Sequence, residues 1–221
     1  MKHDLELKNL FNFLADQDLL LSDYQKQSVG RYVELLSESS KKINLISKND
    51  VSHIVERHIL VSFYYVHVLQ GVKESQDIKI IDVGTGAGLP GVILSICFPD
   101  NPILLLDSSR KKFLFLKRVF KELNLKFELI CERLENIDIY TQGLFDIAVV
   151  RAVADIAALS KWGKQILKKN GLLYTLKGNN YQVEYSESDL RDITLKNMQI
   201  EEPWIKYSGY LKNKTMIRLE Y

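Results

Sequence analysis

Gly84, Gly86 and Gly88 stand at alternate positions, with Asp82 just ahead of them and Asp107 beyond. Glycines so spaced let a backbone turn tightly or let a ligand approach the main chain. Ile80–Ile81–Asp82–Val83 reads as a buried strand, and Pro90 with the apolar run Val92 to Phe98 reads as the start of a helix. Strand, glycine loop and helix open a nucleotide-type βα unit. Gly86 to Gly91 fits the dinucleotide spacing G-x-G-x-x-G by letter, but the strand ends too early for it. A carboxylate at Asp82 would also repel a pyrophosphate and attract an ammonium or sulfonium group. Acid-x-Gly-x-Gly-x-Gly behind a strand is the pattern of S-adenosylmethionine enzymes. Asp107 closes the next predicted strand, about 20 residues on, where an acid can take both ribose hydroxyls. A glycine-rich structural turn with a surface Asp is the plain alternative.

The elements that must position these residues follow from patterning. From about Lys79, strands and helices alternate: Lys79–Val83, Ile103–Asp107, Phe127–Cys131, Asp146–Val150 and Leu172–Lys177 read as strands. This predicts an α/β, Rossmann-like fold with a mainly parallel sheet. Ligands of such sheets bind beyond the carboxyl ends of the strands. That singles out Gly84 to Leu89, Asp107 to Ser109, Glu132 to Glu135, Arg151 and Lys177. Met198 to Tyr207 and Thr215 to Tyr221 read as a terminal antiparallel pair.

Residues 1–70 read as a helical segment ahead of a catalytic domain at 71–221. Leu7, Leu10, Phe11 and Leu14 form one apolar stripe. Ser22 with Gln25 is a capping box, and Val29, Tyr32, Val33 and Leu36 follow on the buried side of a second helix. Asn49 or Asp50 caps a third helix carrying Ile54, Val55, Ile59 and Phe63, which Gly71 closes.

Composition excludes more than it selects. The 221 residues carry a formal charge of +2, so no global field announces a polyanionic partner. No run approaches transmembrane length and the start lacks an apolar signal core, so a cytoplasmic protein with no membrane partner is expected. Cys97 and Cys131 show no metal spacing and read as reduced thiols. One predicted helix is locally basic. Arg110, Lys111, Lys112, Lys117, Arg118 and Lys121 fall within it without an acid, while Phe113, Leu116, Phe120 and Leu123 share the core face. This is either a solvated face or a phosphate-tracking surface at the ligand end of the sheet.

Absences narrow the chemistry. Enzymes that methylate exocyclic amines of bases carry Asn/Asp-Pro-Pro-aromatic after the fourth strand, where this chain reads Val149–Val150–Arg151–Ala152–Val153. Carbon-5 pyrimidine methylation needs a nucleophilic cysteine, and neither cysteine is placed for it. Ribose 2′-hydroxyl methylation usually uses a Lys-Asp-Lys-Glu set. Lys177 could serve in one, but the fourth strand ends in Arg151 rather than Asp. No His-Cys cluster suggests a metal. What remains is an acceptor that needs no base, such as ring nitrogen 7 of guanine. Its lone pair is free at neutral pH, so alignment alone does much of the work.

KKINL (Lys41 to Leu45), RHIL (Arg57 to Leu60), DVGTGAGLPG (Asp82 to Gly91), LLDSSRKKFLFL (Leu105 to Leu116), RLE (Arg133 to Glu135), RAVA (Arg151 to Ala154) and LKG (Leu176 to Gly178) occur in that order. In these pieces the chain resembles the RsmG, or GidB, family of bacterial small-subunit ribosomal RNA guanine-7 methyltransferases. The resemblance spans roughly residues 30–180. It implies a class I methyltransferase fold, with Gly84 and Leu89 on the cofactor, Leu134 and Glu135 lining its adenine, and Arg151 facing cofactor or target base. It also brings Lys41, Arg57, His58 and Lys111 toward RNA. Two departures stand out: Val61 replaces the family's usual Asp after RHIL, and the tail LKNKTMIRLEY lacks an Arg-rich ending.

The expectation is therefore an enzyme that moves a methyl group from S-adenosylmethionine to nitrogen 7 of a guanine in 16S ribosomal RNA. Arg151 is the catalytic candidate, and no metal is expected. Asp82, Gly84, Gly86, Leu89, Asp107, Leu134, Glu135 and Arg151 would bind cofactor. Lys41, Arg57, His58, Lys111, Lys117, Arg118 and Lys177 would meet the RNA, naked or in a small ribosomal subunit, and the enzyme would be a monomer. Another methyl acceptor such as a ribose hydroxyl, an NAD(P)-dependent oxidoreductase and a non-catalytic RNA-binding protein are the alternatives.

Overall fold

Short apolar strands need cover on both faces, and the side chains here divide accordingly. The computed structural model describes residues 3–71, 77–126, 128–137 and 143–221. Among these, the strands are β1 (Ile80–Val83), β2 (Ile103–Leu106), β3 (Glu128–Ile130), β4 (Phe145–Arg151), β5 (Leu167–Gly178), β6 (Thr194–Met198) and β7 (Lys214–Glu220). They form one sheet in the order β3-β2-β1-β4-β5-β7-β6. The pairs from β3 through β5 are parallel, and β7 runs antiparallel to both β5 and β6. Strand order reverses at β1, which lies between β2 and β4, so the ligand crevice of such a sheet falls there. Register sharpens this. Val83 pairs with Leu106 on one side and Val150 on the other, so Gly84, Asp107 and Arg151 leave the sheet at one level.

The helices are α1 (Asp4–Asp16), α2 (Asp23–Ser40), α3 (Leu60–Val68), α4 (Gly91–Cys97), α5 (Arg110–Leu123), α6 (Ile156–Ile166) and α7 (Glu202–Tyr207). Side chains alternate along each strand, so Ile80, Leu105 and Val149 point to one face and Ile81, Leu104 and Ala148 to the other. The first face joins buried residues of α1 through α5 and Trp204 of α7 in a single apolar cluster. The second is covered by α6 together with Leu134, Ile137 and Tyr181. The helices of residues 3–71 thus share one core with the sheet.

The capping box at Ser22 and Gln25 forms as the sequence predicts, and Val29, Tyr32, Val33 and Leu36 are buried behind it. Four local expectations need correction. The third helix is capped by Ser47, whose hydroxyl accepts from the Asp50 amide. It runs through a 3-10 turn (Lys48–His53) and a π-turn (Val55–Ile59) before α3 begins. Asp50 is thereby released to accept from Arg57 at 2.8 Å. Gly71 does not close α3, which ends at Val68 with the Leu69 amide bonded back into the last turn. The terminal antiparallel partner is β6, and Glu202–Tyr207 is a helix rather than a strand. Pro203 sits in its first turn, where the missing N–H costs nothing, and Trp204 is fully buried against Phe13 and Tyr64. Phe113 lies half-buried outside the core, under Arg110 and Lys117, and Phe115 and Val119 join Leu116, Phe120 and Leu123 inside. The predicted third strand is Glu128–Ile130, with Phe127 outside the described residues.

Candidate active site

The loop after β1 carries φ angles of 68° at Gly84, 63° at Gly86 and 97° at Gly88, a region that favours glycine. Asp82 organises it from below. The carboxylate is fully buried, and its Oδ2 accepts from the Thr85 hydroxyl at 2.7 Å and the Gly91 amide at 2.8 Å. A side chain at Gly91 would bring a Cβ within 2.6 Å of that oxygen, so the helix can start this close only on glycine. Burial pushes the Asp82 carboxyl up to about 7, against the pull of its two hydrogen bonds and of Arg151. Asp107 Oδ2 accepts from the Gly86 amide at 2.8 Å, with Lys112 Nζ at 3.4 Å, and its Oδ1 accepts from the Ser109 amide at 2.8 Å. One carboxylate thereby fixes both the glycine loop and the entry to α5.

Arg151 ends β4. Its Nη2 donates to the Arg57 carbonyl at 2.7 Å and to His58 Nδ1 at 3.1 Å. Burial, and then the Arg151 charge, lower His58 to about 4, so the ring is neutral at pH 7. With Nδ1 accepting, the ring proton sits on Nε2, 3.9 Å from Asp50 Oδ2. Nε2 and Arg151 Nη1 are both buried without a hydrogen-bond partner among the described residues, as is Asp82 Oδ1. Arg57 and His58 meet Arg151 from within the π-turn. Tyr65 steadies the strand ends, donating to the Val150 carbonyl at 2.9 Å and accepting from the Leu176 amide at 3.0 Å. Beyond Arg151, Ala152 takes a φ of 55°, and Val153 packs so close to Gly84 that a Cβ there would lie 2.5 Å from it.

These groups surround a cleft in two parts. The larger, about 610 Å³, is lined by Gly84, Gly86, Leu89, His58, Arg151 and Tyr210, among others. The smaller, about 210 Å³, is lined by Val83, Leu134, Glu135 and Trp162. Gly84, Asp107, Ser108 and Val153 belong to both. Another depression, about 570 Å³, opens by Lys79, Asn101 and Glu128 at the amino ends of the strands, away from where open α/β sheets bind ligands.

Residues 25–205 match the GidB family, described as rRNA small subunit methyltransferase G. The chain belongs to this family. Similar proteins include the ribosomal RNA small subunit methyltransferase G of Mycoplasma capricolum, 34% identical over 88% of this chain and 80% of that one. That of Chlorobium luteolum is 35% identical over 85% of this chain and 77% of its own. Among solved structures, the plantazolicin methyltransferase BpumL in complex with SAH superimposes with a TM-score of 0.54. The match covers 90% of this chain and 99% of that one at 13% identity, a likeness of fold. The chain is thus a GidB-family methyltransferase with a class I fold.

Most of the cofactor residues expected in this family member converge on the two-part cleft: Gly84, Gly86, Leu89, Asp107, Leu134, Glu135 and Arg151. Asp82 does not. Its side chain faces the loop interior, because the Thr85 hydroxyl and the Gly91 amide claim it there. His58 lies inside the cleft, and Arg57 is tied to Asp50 next to it. Lys41, Lys111 and Lys117 are exposed, and Arg118 is exposed but paired to Glu122 at 2.8 Å. Lys177 is absent from the cleft lining. Its ammonium bonds the Ala154 carbonyl at 2.5 Å and pairs with Glu184 at 2.7 Å, bracing the loop after Arg151. Val61, at the family's usual Asp position, is fully buried in the apolar cluster. Asp50, Lys112, Trp162 and Tyr210 also line the cleft and were not among the expected site residues. Lys112 had a sequence signal in its place on the basic helix after Asp107, and Asp50 had one only as a helix cap; Trp162 and Tyr210 had none.

Proposed function

We propose that this protein transfers a methyl group from S-adenosylmethionine to ring nitrogen 7 of a guanine in 16S ribosomal RNA, as free RNA or within a small ribosomal subunit. The cleft suits a nucleoside cofactor. Its glycine loop leaves the main chain open, Asp107 stands at the junction of the two compartments, and Leu134, Glu135 and Trp162 line a side compartment for a purine. When bound, the cofactor supplies an electrophilic methyl group. The ribosomal RNA acceptor follows the names of the relatives, and SAH bound to a protein of the same fold supports the cofactor.

One observation carries the choice of acceptor: beside the glycine loop, the buried unpartnered groups that line the cleft are donors, not bases. Arg151 Nη1 and His58 Nε2 each hold a proton, and His58 Nδ1 is already accepting. Asp50 is held below the usual carboxylate range by its bonds to Ser47 and Arg57, and Asp107 is engaged with two amides. Such a site can orient an acceptor without deprotonating it. Guanine nitrogen 7 needs only that, and alignment can contribute about 7–11 kcal/mol. A ribose hydroxyl would need a base, and Lys177 is committed to Ala154 and Glu184. Exposed Lys111 and Lys117 on α5, with Lys41 at the end of α2, suit RNA phosphates. No described helix is long and apolar enough to cross a membrane. We place the enzyme in the cytoplasm as a monomer.

The test is transfer of labelled methyl from S-adenosylmethionine to 16S ribosomal RNA. Label should enter the RNA, and Arg151→Ala should lower kcat/KM on the order of 100-fold through lost alignment. Cofactor binding without any transfer to RNA would overturn the reading.

A further inference from the structure

Tyr210 has no part in the scheme above, yet it lines the larger compartment together with Gly84, His58 and Arg151. It is also 36% exposed. Its position is fixed by its surroundings. The Tyr210 amide donates to the Ser208 hydroxyl oxygen at 3.2 Å, and that hydroxyl donates to Glu56 at 2.9 Å. The next residue, Leu211, is fully buried and anchors the turn Gly209–Leu211. Two cations attend the ring: the Arg57 guanidinium lies 5.9 Å and Lys214 Nζ 5.5 Å from its centroid. Arg57 is itself held by Asp50, so the grouping is ordered before any ligand arrives.

An exposed aromatic ring flanked by cations at the rim of a cleft is the composition of a single-stranded nucleic-acid site. Bases stack on the ring or on an Arg plane, and the cations follow the phosphates. Resting on the RNA reading given above, we propose that Tyr210 is the platform on which an unpaired nucleobase of the substrate RNA stacks as it enters the cleft. Lys214 then moves from over the ring to an adjoining phosphate, while Arg57 stays paired to Asp50. The substrate segment is accordingly unstacked where it meets the enzyme, because a base inside a duplex has both faces covered by its stacked neighbours.

The experiment compares wild type with Tyr210→Ala and Tyr210→Trp. It measures KM and kcat for 16S ribosomal RNA, the S-adenosylmethionine Kd by calorimetry, and the melting temperature. Loss of one stacked base should raise the RNA KM about 10- to 100-fold in Tyr210→Ala, with cofactor Kd and melting temperature held. Tyr210→Trp should recover most of that loss. A Tyr210→Ala enzyme with the wild-type KM overturns the platform and leaves the methyltransferase reading standing. Equal weakening of cofactor and RNA overturns it too, by assigning the ring to the cofactor. A wild-type protein that binds S-adenosylmethionine but methylates no RNA takes down the RNA reading and the platform together.

Discussion

Arg151 and His58 lie 93 positions apart in the chain, and each sets the state of the other. Burial, seconded by the guanidinium, keeps the imidazole neutral, and the imidazole nitrogen holds the guanidinium in place. The pairing has a consequence for stability. His58 falls to about 4 in the fold from an ordinary value of 6.5. Above pH 6.5 the ring is neutral in both folded and unfolded chains, and its contribution is complete. Between 6.5 and 4 the unfolded chain takes a proton that the folded chain refuses, so stability drains as pH falls. Asp82, raised to about 7 by burial, slopes the other way, so the comparison must be with a variant. In denaturant titrations, wild type should lose up to about 3 kcal/mol relative to His58→Gln between pH 6.5 and 4. Parallel curves would mean a solvated ring. None of this was legible from RHIL and RAVA as letters, because the contact joins segments that only the fold brings together. The glycines were legible, since their φ requirement is local. Asp82 was legible as an acid but not in its direction: charge is visible in a sequence, and whether a carboxylate faces ligand or backbone is not.

At the scale of elements, the strands from β1 to β4 announced themselves as apolar runs between turn signals, and α2 by its capping box; β5 was expected at Leu172–Lys177 but starts at Leu167, because Lys168, Lys169 and Asn170 carry no apolar signal. The segment from Met198 to Tyr207 misled because its mixed polarity fits a strand, while Pro203 in a first turn is a helix signal that competes with it. The irregular entry to α3 had no signature, because π-turns are stabilised by tertiary contacts rather than propensity. Helix α6 brings Trp162 to the smaller compartment, a role its sequence position does not disclose. The other tryptophan, Trp204, is fully buried in the cluster on the other face of the sheet. If the adenine occupies the smaller compartment, adding S-adenosylmethionine should change the emission of Trp162, and Trp162→Phe should abolish the change while keeping the Trp204 signal. A ligand-dependent change that survives in Trp162→Phe would place the purine elsewhere.

For the whole molecule, the two clusters divide the work. The cluster holding α1 through α5 builds the larger compartment's walls, since Leu45, Ile46, Ala87 and Leu89 belong to it, while the α6 side contributes Leu134 and Val83 to the smaller one. That the sheet is mainly parallel was readable from alternation alone, while the strand order was not. That the segment of residues 3–71 forms part of the cleft's wall was not readable either, because it depends on which sheet face it covers. Beside the glycine loop, the described cleft residues offer donors and engaged carboxylates rather than an uncommitted base, and orientation of the acceptor without deprotonation is the central claim. Methylation at guanine nitrogen 7 leaves a cationic purine with a labile glycosidic bond, so borohydride reduction and aniline cut the strand there. RNA methylated by this enzyme should be cut by that treatment at one guanine. Methyl incorporation into RNA that then resists aniline would contradict the account and point to a different acceptor atom.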